Sequence, residues 1–291
     1  MCTIGTVFDA SVVRSFKQCD LTDPTTFYPP EERQGKAGTY LALTRLGRPG
    51  LWAGGNTSGV TFTAADNYTR ELTARQSNSP FRLVRTNTYQ GSNSSVDSLF
   101  LAYEKAVADY DNAQDAANSL ADFYLNGDAE HPGPFESADI AMFSDTSQAV
   151  YMEYSPVGNF KFNGLGDVVG QTGNPEVLTL SPKADYFANT NNCRLFNTSV
   201  TYPMNLSTFL RLERAERLLL IQPNHDGIHK LLRDQYFGET ELSICRVAVK
   251  PGEFYTQASV IFSTQENGLM CEYVINGNPR TKPWQTMTIT K

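Results

Sequence analysis

The sequence predicts an α+β protein whose sheets are covered by helices. Three observations predict it. Alternating apolar and polar runs open the chain, residues at helical spacing fill its middle, and alternating runs return at its C-terminus. Cys2 to Phe8 and Val12 to Phe16, separated by Asp9-Ala10-Ser11, read as a β-hairpin. Strand-like pieces follow at Tyr40 to Leu46 and Val60 to Ala64, broken by the glycine-rich turn Gly54-Gly55-Asn56-Thr57-Ser58-Gly59. After a polar stretch from Gln90 to Ser95, the spacing of Leu99, Tyr103, Ala106 and Tyr110 predicts a helix. A second helical run continues to Leu125, where Asn126-Gly127 stops it. Ile140 to Phe143 and Ala149 to Tyr154 flank Ser144-Asp145-Thr146-Ser147-Gln148 as another hairpin. A helix is expected from Ser207 to Ile221, with Ser207 and Thr208 as caps and a charged outer face, and a shorter one from Asp226 to Tyr236. The last hairpin joins Gln257 to Ser263 and Leu269 to Ile275 through Asn267-Gly268.

The 291 residues are 40% hydrophobic and 19% charged, which suits one compact domain over residues 1–291 with a sizeable core. The net charge of -7, without a basic run, argues against an electrostatic hold on nucleic acid or anionic lipid. Neither an apolar stretch of about 18 residues nor a secretory signal pattern is seen, so no membrane association is expected. Cysteines at 2, 19, 193, 245 and 271 form no CxxC pair and are odd in number. That usage fits a reduced cytoplasmic protein. His225 and His229 have helical spacing but lack the neighbouring glutamate of a metalloprotease helix, so neither metal nor cofactor is expected. His131, between Glu130 and Pro132, is expected to be solvated.

Cys2 carries the most chemical information. Methionine before a small side chain is normally trimmed, and loss of Met1 would place thiol and α-amine on one residue. The amine, with a pKa of roughly 7.7 to 8.0, can then act as base for a thiol of pKa about 8.5. No distant histidine is needed.

The order of several motifs adds to this. Met1-Cys2-Thr3-Ile4, Phe16-Lys17-Gln18-Cys19-Asp20 and Gly55-Asn56-Thr57-Ser58-Gly59-Val60 are followed by Asp145-Thr146-Ser147-Gln148-Ala149-Val150-Tyr151-Met152-Glu153. Then come Thr190-Asn191-Asn192, Ser207-Thr208-Phe209-Leu210-Arg211-Leu212-Glu213-Arg214-Ala215 and Ser243-Ile244-Cys245-Arg246. In this order they resemble the N-terminal-nucleophile (Ntn) hydrolases of the choloylglycine hydrolase and penicillin V acylase type, particularly relatives near isopenicillin N acyltransferase. The resemblance spans nearly the whole chain. It implies a four-layer αββα sandwich, two antiparallel sheets covered by helices.

The resemblance also implies roles. Cys2 would be the nucleophile, Asp20 the carboxylate holding its amine, and Asn191 the amide facing the oxyanion. Arg211 would support the thiolate electrostatically. A backbone N–H among Ala65, Asp66 and Asn67 would be a second oxyanion donor, and the choice among the three stays open. Lys17 and Gln18, with Asp66 and Asn67, would bind substrate. Departures accompany these matches. Gln18 and Cys19 stand where relatives carry asparagine and arginine, which leaves Arg14 or Lys17 to substitute for the arginine. Leu180 replaces an asparagine before Ser-Pro, and Asn192 stands where close acyltransferase relatives often have histidine. Neither bile salt nor penicillin follows as substrate.

The expected activity is therefore an N-terminal-cysteine amidase or acyltransferase. It cleaves a linear amide or thioester, free or carrier-bound, through acyl-Cys2 and passes the acyl group of a small secondary metabolite to an amine or water. Both acceptors stay open, as does a homo-oligomeric state. Two other readings stand beside it: a glutamine amidotransferase-like glutaminase, disfavoured by Thr3 and the absence of a second domain, and a non-catalytic binding or scaffold protein of the same fold.

Overall fold

The computed structural model of the chain describes residues 2–67, 69–72, 81–84, 94–165, 167–198, 206–248 and 250–291. Strands β1 (Cys2–Asp9), β2 (Val12–Leu21), β3 (Glu31–Gly35), β4 (Gly38–Leu43), β5 (Ala53–Asn56), β6 (Thr61–Asp66), β7 (Thr69–Leu72) and β8 (Phe81–Val84) come first. Helices α1 (Ser94–Asp109) and α2 (Ala113–Asn126) follow. Next come β9 (Asp139–Ser144), β10 (Ala149–Ser155), β11 (Phe160–Phe162), β12 (Val168–Gln171), β13 (Glu176–Leu180) and β14 (Tyr186–Asn189). Helices α3 (Leu206–Ile221) and α4 (His225–Leu232) precede β15 (Tyr255–Gln265), β16 (Gly268–Ile275) and β17 (Gln285–Thr290).

Two large antiparallel sheets result. One has six strands in the order β14-β1-β2-β15-β16-β17, the other seven in the order β13-β10-β9-β6-β5-β4-β3. Helices α1 and α2 lie on the seven-stranded sheet, α3 and α4 on the six-stranded sheet, and the two sheets face each other. This is the expected four-layer αββα sandwich. No helix among the described residues is long and apolar enough to cross a membrane.

Side-chain alternation along β1 and β2 positions the chemistry. Cys2 and Ile4 pack toward the second sheet against Ala65, Ile140, Met142 and Tyr151, whereas Val7 and Phe16 pack against Ala215, Leu219 and Ile228 of the helix layer. A strand has period two, so Thr3, Gln18 and Asp20 share the helix side, and Lys17 and Cys19 share the face of Cys2. Aromatic packing fills the other layers: Phe62 lies 4.7 Å from Tyr103 and 4.8 Å from Phe143, and Trp52 stacks on Phe100 at 5.3 Å.

Several boundaries differ from the sequence reading. Strand β2 runs on to Leu21 because Lys17, Gln18 and Asp20 are fully buried and polar, a pattern that hides a strand from any apolar count. Half of the glycine-rich segment is strand. Residues Ala53 to Asn56 form β5, and the turn occupies only Thr57 to Gly59, where Gly59 has φ +106. A Cβ on Gly55 would lie 3.1 Å from both Leu269 of the opposing sheet and the Val60 carbonyl, a tight fit at the sheet interface. The helix expected to reach Tyr236 ends at Leu232, capped at Arg233. His131 is half-buried rather than solvated, its Nδ1 paired with Ser98 Oγ at 2.8 Å. The polar stretch at 90–95 lies mostly outside the described residues, which resume at Ser94.

Candidate active site

Five pieces of the fold converge on the start of β1: the end of β2, the end of β6, the loop after β14, the first turns of α3, and the segment around Arg246. The loop is fixed first. Thr190 Oγ1 bonds the Thr208 carbonyl at 2.9 Å, and Thr208 Oγ1 accepts from the Asn191 amide at 3.0 Å. With the loop held by α3, the Asn191 side chain meets Cys2. The Cys2 backbone nitrogen donates to Asn191 Oδ1 at 3.0 Å.

Arg211 completes the contact from α3. Its fork donates to the Cys2 carbonyl at 2.7 Å, Thr3 Oγ1 at 2.9 Å and Asn191 Oδ1 at 3.1 Å. Two donors aimed at Oδ1 fix the amide orientation of Asn191, because a flipped Nδ2 would face both of them. Nδ2 accordingly donates to the Asp66 carbonyl at 2.8 Å. Behind Arg211, Ser207 Oγ accepts from Arg211 Nε at 3.3 Å and from Arg246, and it donates to the Glu241 carbonyl at 2.8 Å. Arg246 ion-pairs with Asp20 at 3.4 Å, both side chains fully buried. Thr256 Oγ1 bonds Asp20 Oδ1 at 2.8 Å.

These groups set the electrostatics. Burial pushes the Cys2 thiol up from the ordinary range; the charge of Lys17 pulls it back, and Asp66 and Asp20 push it further up. Lys17 is itself immobilised, its Nζ on the Trp52 carbonyl at 2.8 Å and over the Trp52 ring at 4.8 Å. Burial is the largest of these effects, so the thiol stays raised even with Lys17 beside it.

The structure thus brings Cys2, Asn191, Arg211, Asp20 and Lys17 together, along with the Asp66 carbonyl. Arg211 is fully buried rather than part of a solvated helix face. The Cys2 nitrogen bonds Asn191, while Asp20 faces Arg246 and Thr256. Asp66 presents a carbonyl to this cluster where an amide was expected, and Asn67 accepts from Cys193 Sγ at 2.8 Å. Gln18 is fully buried. Its Nε2 reaches the Leu232 and Ile244 carbonyls and Thr256 Oγ1, and its Oε1 accepts from Ser259 at 2.5 Å. It is a buried crosslink between β2, α4 and β15. Of the two candidate stand-ins for the missing arginine, Arg14 pairs with Asp9 at the far end of the hairpin, which leaves Lys17. Cys19 lies directly opposite Cys2 in the strand register, a buried free thiol.

Sequence reasoning missed Arg246, Thr256 and Glu153. Arg246 and Thr256 gave no signal beyond a place in or near a motif. Ser207 and Thr208 were read as caps, but their hydroxyls serve the network from inside α3. Glu153 accepts from Tyr151 and from the backbone amides of Arg194, Leu195 and Phe196, so one carboxylate organises the chain that follows Asn191. Its desolvation raises the carboxyl pKa.

No protein-family model matches the sequence, and no curated protein is similar to it at a significant level. Solved structures do match. A variant of conjugated bile acid hydrolase from Clostridium perfringens superimposes with a TM-score of 0.51 at 10% identity, covering 100% of this chain and 92% of that one. An N-acylethanolamine-hydrolyzing acid amidase ortholog from Caenorhabditis elegans gives 0.46 at 11% identity over 89% and 92% of the two chains. The first likeness establishes a shared fold, and it agrees with the layers described above.

Proposed function

We propose that this chain, with the residue before Cys2 removed, is an Ntn-type cysteine enzyme that cleaves amide or thioester bonds through an acyl-Cys2 intermediate. One observation carries the reading: the main chain of residue 2 is held at both nitrogen and carbonyl by the buried Asn191 and Arg211 side chains. A buried arginine and asparagine fixing the first strand residue by its backbone is what positioning an N-terminal amine beside its own thiol requires. The resemblance in motif order and the shared fold point the same way.

In this scheme the α-amine takes the thiol proton and the thiolate attacks the carbonyl carbon. The tetrahedral intermediate then collapses as the amine returns the proton to the leaving amine. Water or an acceptor amine releases the acyl group from Cys2, and exclusion of water decides between hydrolysis and transfer. Asn191 holds the amine first. Its Nδ2 spends one hydrogen on the Asp66 carbonyl, which leaves the second for an oxyanion. Lys17 favours the thiolate, working against the burial that raises the thiol. The substrate is a small acyl donor of the secondary-metabolite kind, and the five free cysteines favour a reducing, cytoplasmic setting.

The test is intact mass of the protein before and after incubation with an activated acyl thioester, alongside Cys2→Ala. An adduct that needs both a free Cys2 amine and the Cys2 thiol supports the reading. A second reading, a binding protein of the same fold, is favoured by the complete burial of Cys2. It prevails if processed protein forms no adduct.

A further inference from the structure

On the other side of the six-stranded sheet, three side chains converge that the chemistry of Cys2 does not use. Asn224 caps α4 by accepting from the Gly227 amide at 3.1 Å, which starts the helix at His225. His225 and His229, four residues apart, therefore share one helix face. Strand β16 supplies the third group. Leu269, Cys271 and Tyr273 point into the core between the sheets, so Glu272 points toward α4. Its two carboxylate oxygens divide between the imidazoles: Oε2 lies 2.6 Å from His225 Nε2 and Oε1 3.1 Å from His229 Nε2. The three possible ligand atoms all lie within 4.8 Å of one another.

We propose that His225, His229 and Glu272 form a binding site for a divalent metal of the zinc class, which staples α4 to β16. Two imidazoles and one carboxylate are the donor set that such ions prefer, and three protein ligands leave a coordination position for water. The ligands are held in place. The His229 ring is packed edge to face between His225 at 4.6 Å and Trp284 at 4.5 Å, and the Glu272 side chain is 13% exposed. An entry path exists as well, because an open groove of about 710 Å³ is lined by Asp226, His229, Lys230 and Arg233. His225, 35% exposed, stands on the solvent side with its Nδ1 3.8 Å from Asp226 Oδ1, close enough for charge attraction but beyond hydrogen-bond length. Binding replaces the two imidazole–carboxylate hydrogen bonds with three bonds to the ion. Each Nε2 contributes its lone pair, and the ring proton moves to Nδ1.

The histidine pair alone did not suggest this, because the third ligand lies 43 residues beyond His229. Metallopeptidase helices place a glutamate after the first histidine. Asp226 stands there, with a side chain 78% exposed, so the staple needs no hydrolytic role.

The experiment uses full-length untagged protein stripped with chelator and titrated with zinc chloride and cobalt chloride. One equivalent of zinc is expected, with the thermal midpoint rising by about 5 °C at a hundredfold excess over Kd. Cobalt should give ligand-field bands without a sulfur charge-transfer band. Glu272→Gln, which keeps a hydrogen-bonding side chain, should weaken zinc binding by at least about tenfold. Cys2→Ala should bind as before. The chain has three histidines, which gives a readout that needs no variant: zinc should protect His225 and His229, but not His131, from diethyl pyrocarbonate. Equal modification of His225 and His229 with and without zinc, a thiolate band with cobalt, or no zinc uptake would overturn the proposal.

Discussion

Arg211 donates to the carbonyl oxygen of Cys2 at 2.7 Å, so a buried charge on α3 grips the start of β1 through the backbone rather than through the thiol. Two variants separate its contributions. Arg211→Ala leaves the Cys2 carbonyl, Thr3 Oγ1 and Asn191 Oδ1 short of a donor, and should cost about 3 kcal/mol in a urea melt. Arg211→Lys keeps the charge but loses the planar fork. It should fold, yet acylate Cys2 about a hundredfold more slowly, because small misplacements are costly in acyl transfer. Equal acylation rates in Arg211→Lys and the unmutated chain would remove Arg211 from the proposed site.

Asn191 should matter for proton handling as well as for rate. Its Oδ1 accepts from the Cys2 nitrogen at 3.0 Å, so Asn191→Ala frees the amine proposed as base. Acylation should slow by about a hundredfold or more, and the pH profile should move along with it. A slower rate with an unmoved profile would indicate an oxyanion donor that does not touch the amine.

The buried pair Asp20–Arg246 supports this site from behind. Both side chains are fully buried, so Arg246→Met, which leaves the carboxylate without its cation, should destabilise the protein by about 4 kcal/mol. Asp20→Asn retains an oxygen for Thr256 and should cost less. The double variant Asp20→Asn with Arg246→Met should be more stable than the summed single effects by at least about 1 kcal/mol, measured as a double-mutant cycle. Simple additivity would show that the pair is not coupled.

The sequence disclosed the outer frame of this site but not its wiring. Hairpins with alternating faces and helices with aromatic stripes announce themselves because burial on one side imposes a period, as at Leu99, Tyr103 and Ala106. Buried polar residues impose no period. The motif resemblance assigns Gln18 to substrate, whereas its four hydrogen-bond partners come from β2's neighbours in space, more than 200 positions away. Arg246 and Glu272 were silent for the same reason: each finds its partner across the fold. Strand β14, which delivers Asn191, is four residues long and too short to show alternation.

Thiol reactivity should report on Lys17. Burial raises the Cys2 pKa and Lys17 lowers it, so Lys17→Met should move the iodoacetamide profile of Cys2 toward alkali. The sign for stability follows from the same shift. A thiol whose folded pKa lies above its unfolded value contributes stability that is complete below the unfolded pKa and is lost as pH rises through the folded one. Cys2, Cys19, Cys193, Cys245 and Cys271 are all raised by burial, Cys245 from 9.0 to about 12. Stability should therefore fall steadily above about pH 9, as read by urea midpoints, and Cys245→Ala should soften that fall.

Asp139 should give the opposite end of the pH range a distinct signature. It is buried beneath α1 and α2, where Tyr103 and Tyr124 both donate to Oδ2, the latter at 2.5 Å. Desolvation outweighs these bonds, with a further push from Asp66, and the carboxyl is raised from 3.8 to about 7. The folded chain thus binds a proton that the unfolded chain has released between those values. Its contribution to stability is complete below about pH 4 and is lost as pH rises through about 7. One proton corresponds to a slope of about 1.4 kcal/mol per pH unit within that window. Asp139→Asn keeps an acceptor for the tyrosines and removes the titration, so the difference in unfolding free energy between Asp139→Asn and the unmutated chain should change sharply between pH 4 and 7. A difference that stays flat across this window would mean that Asp139 ionises in the fold as it does in the unfolded chain.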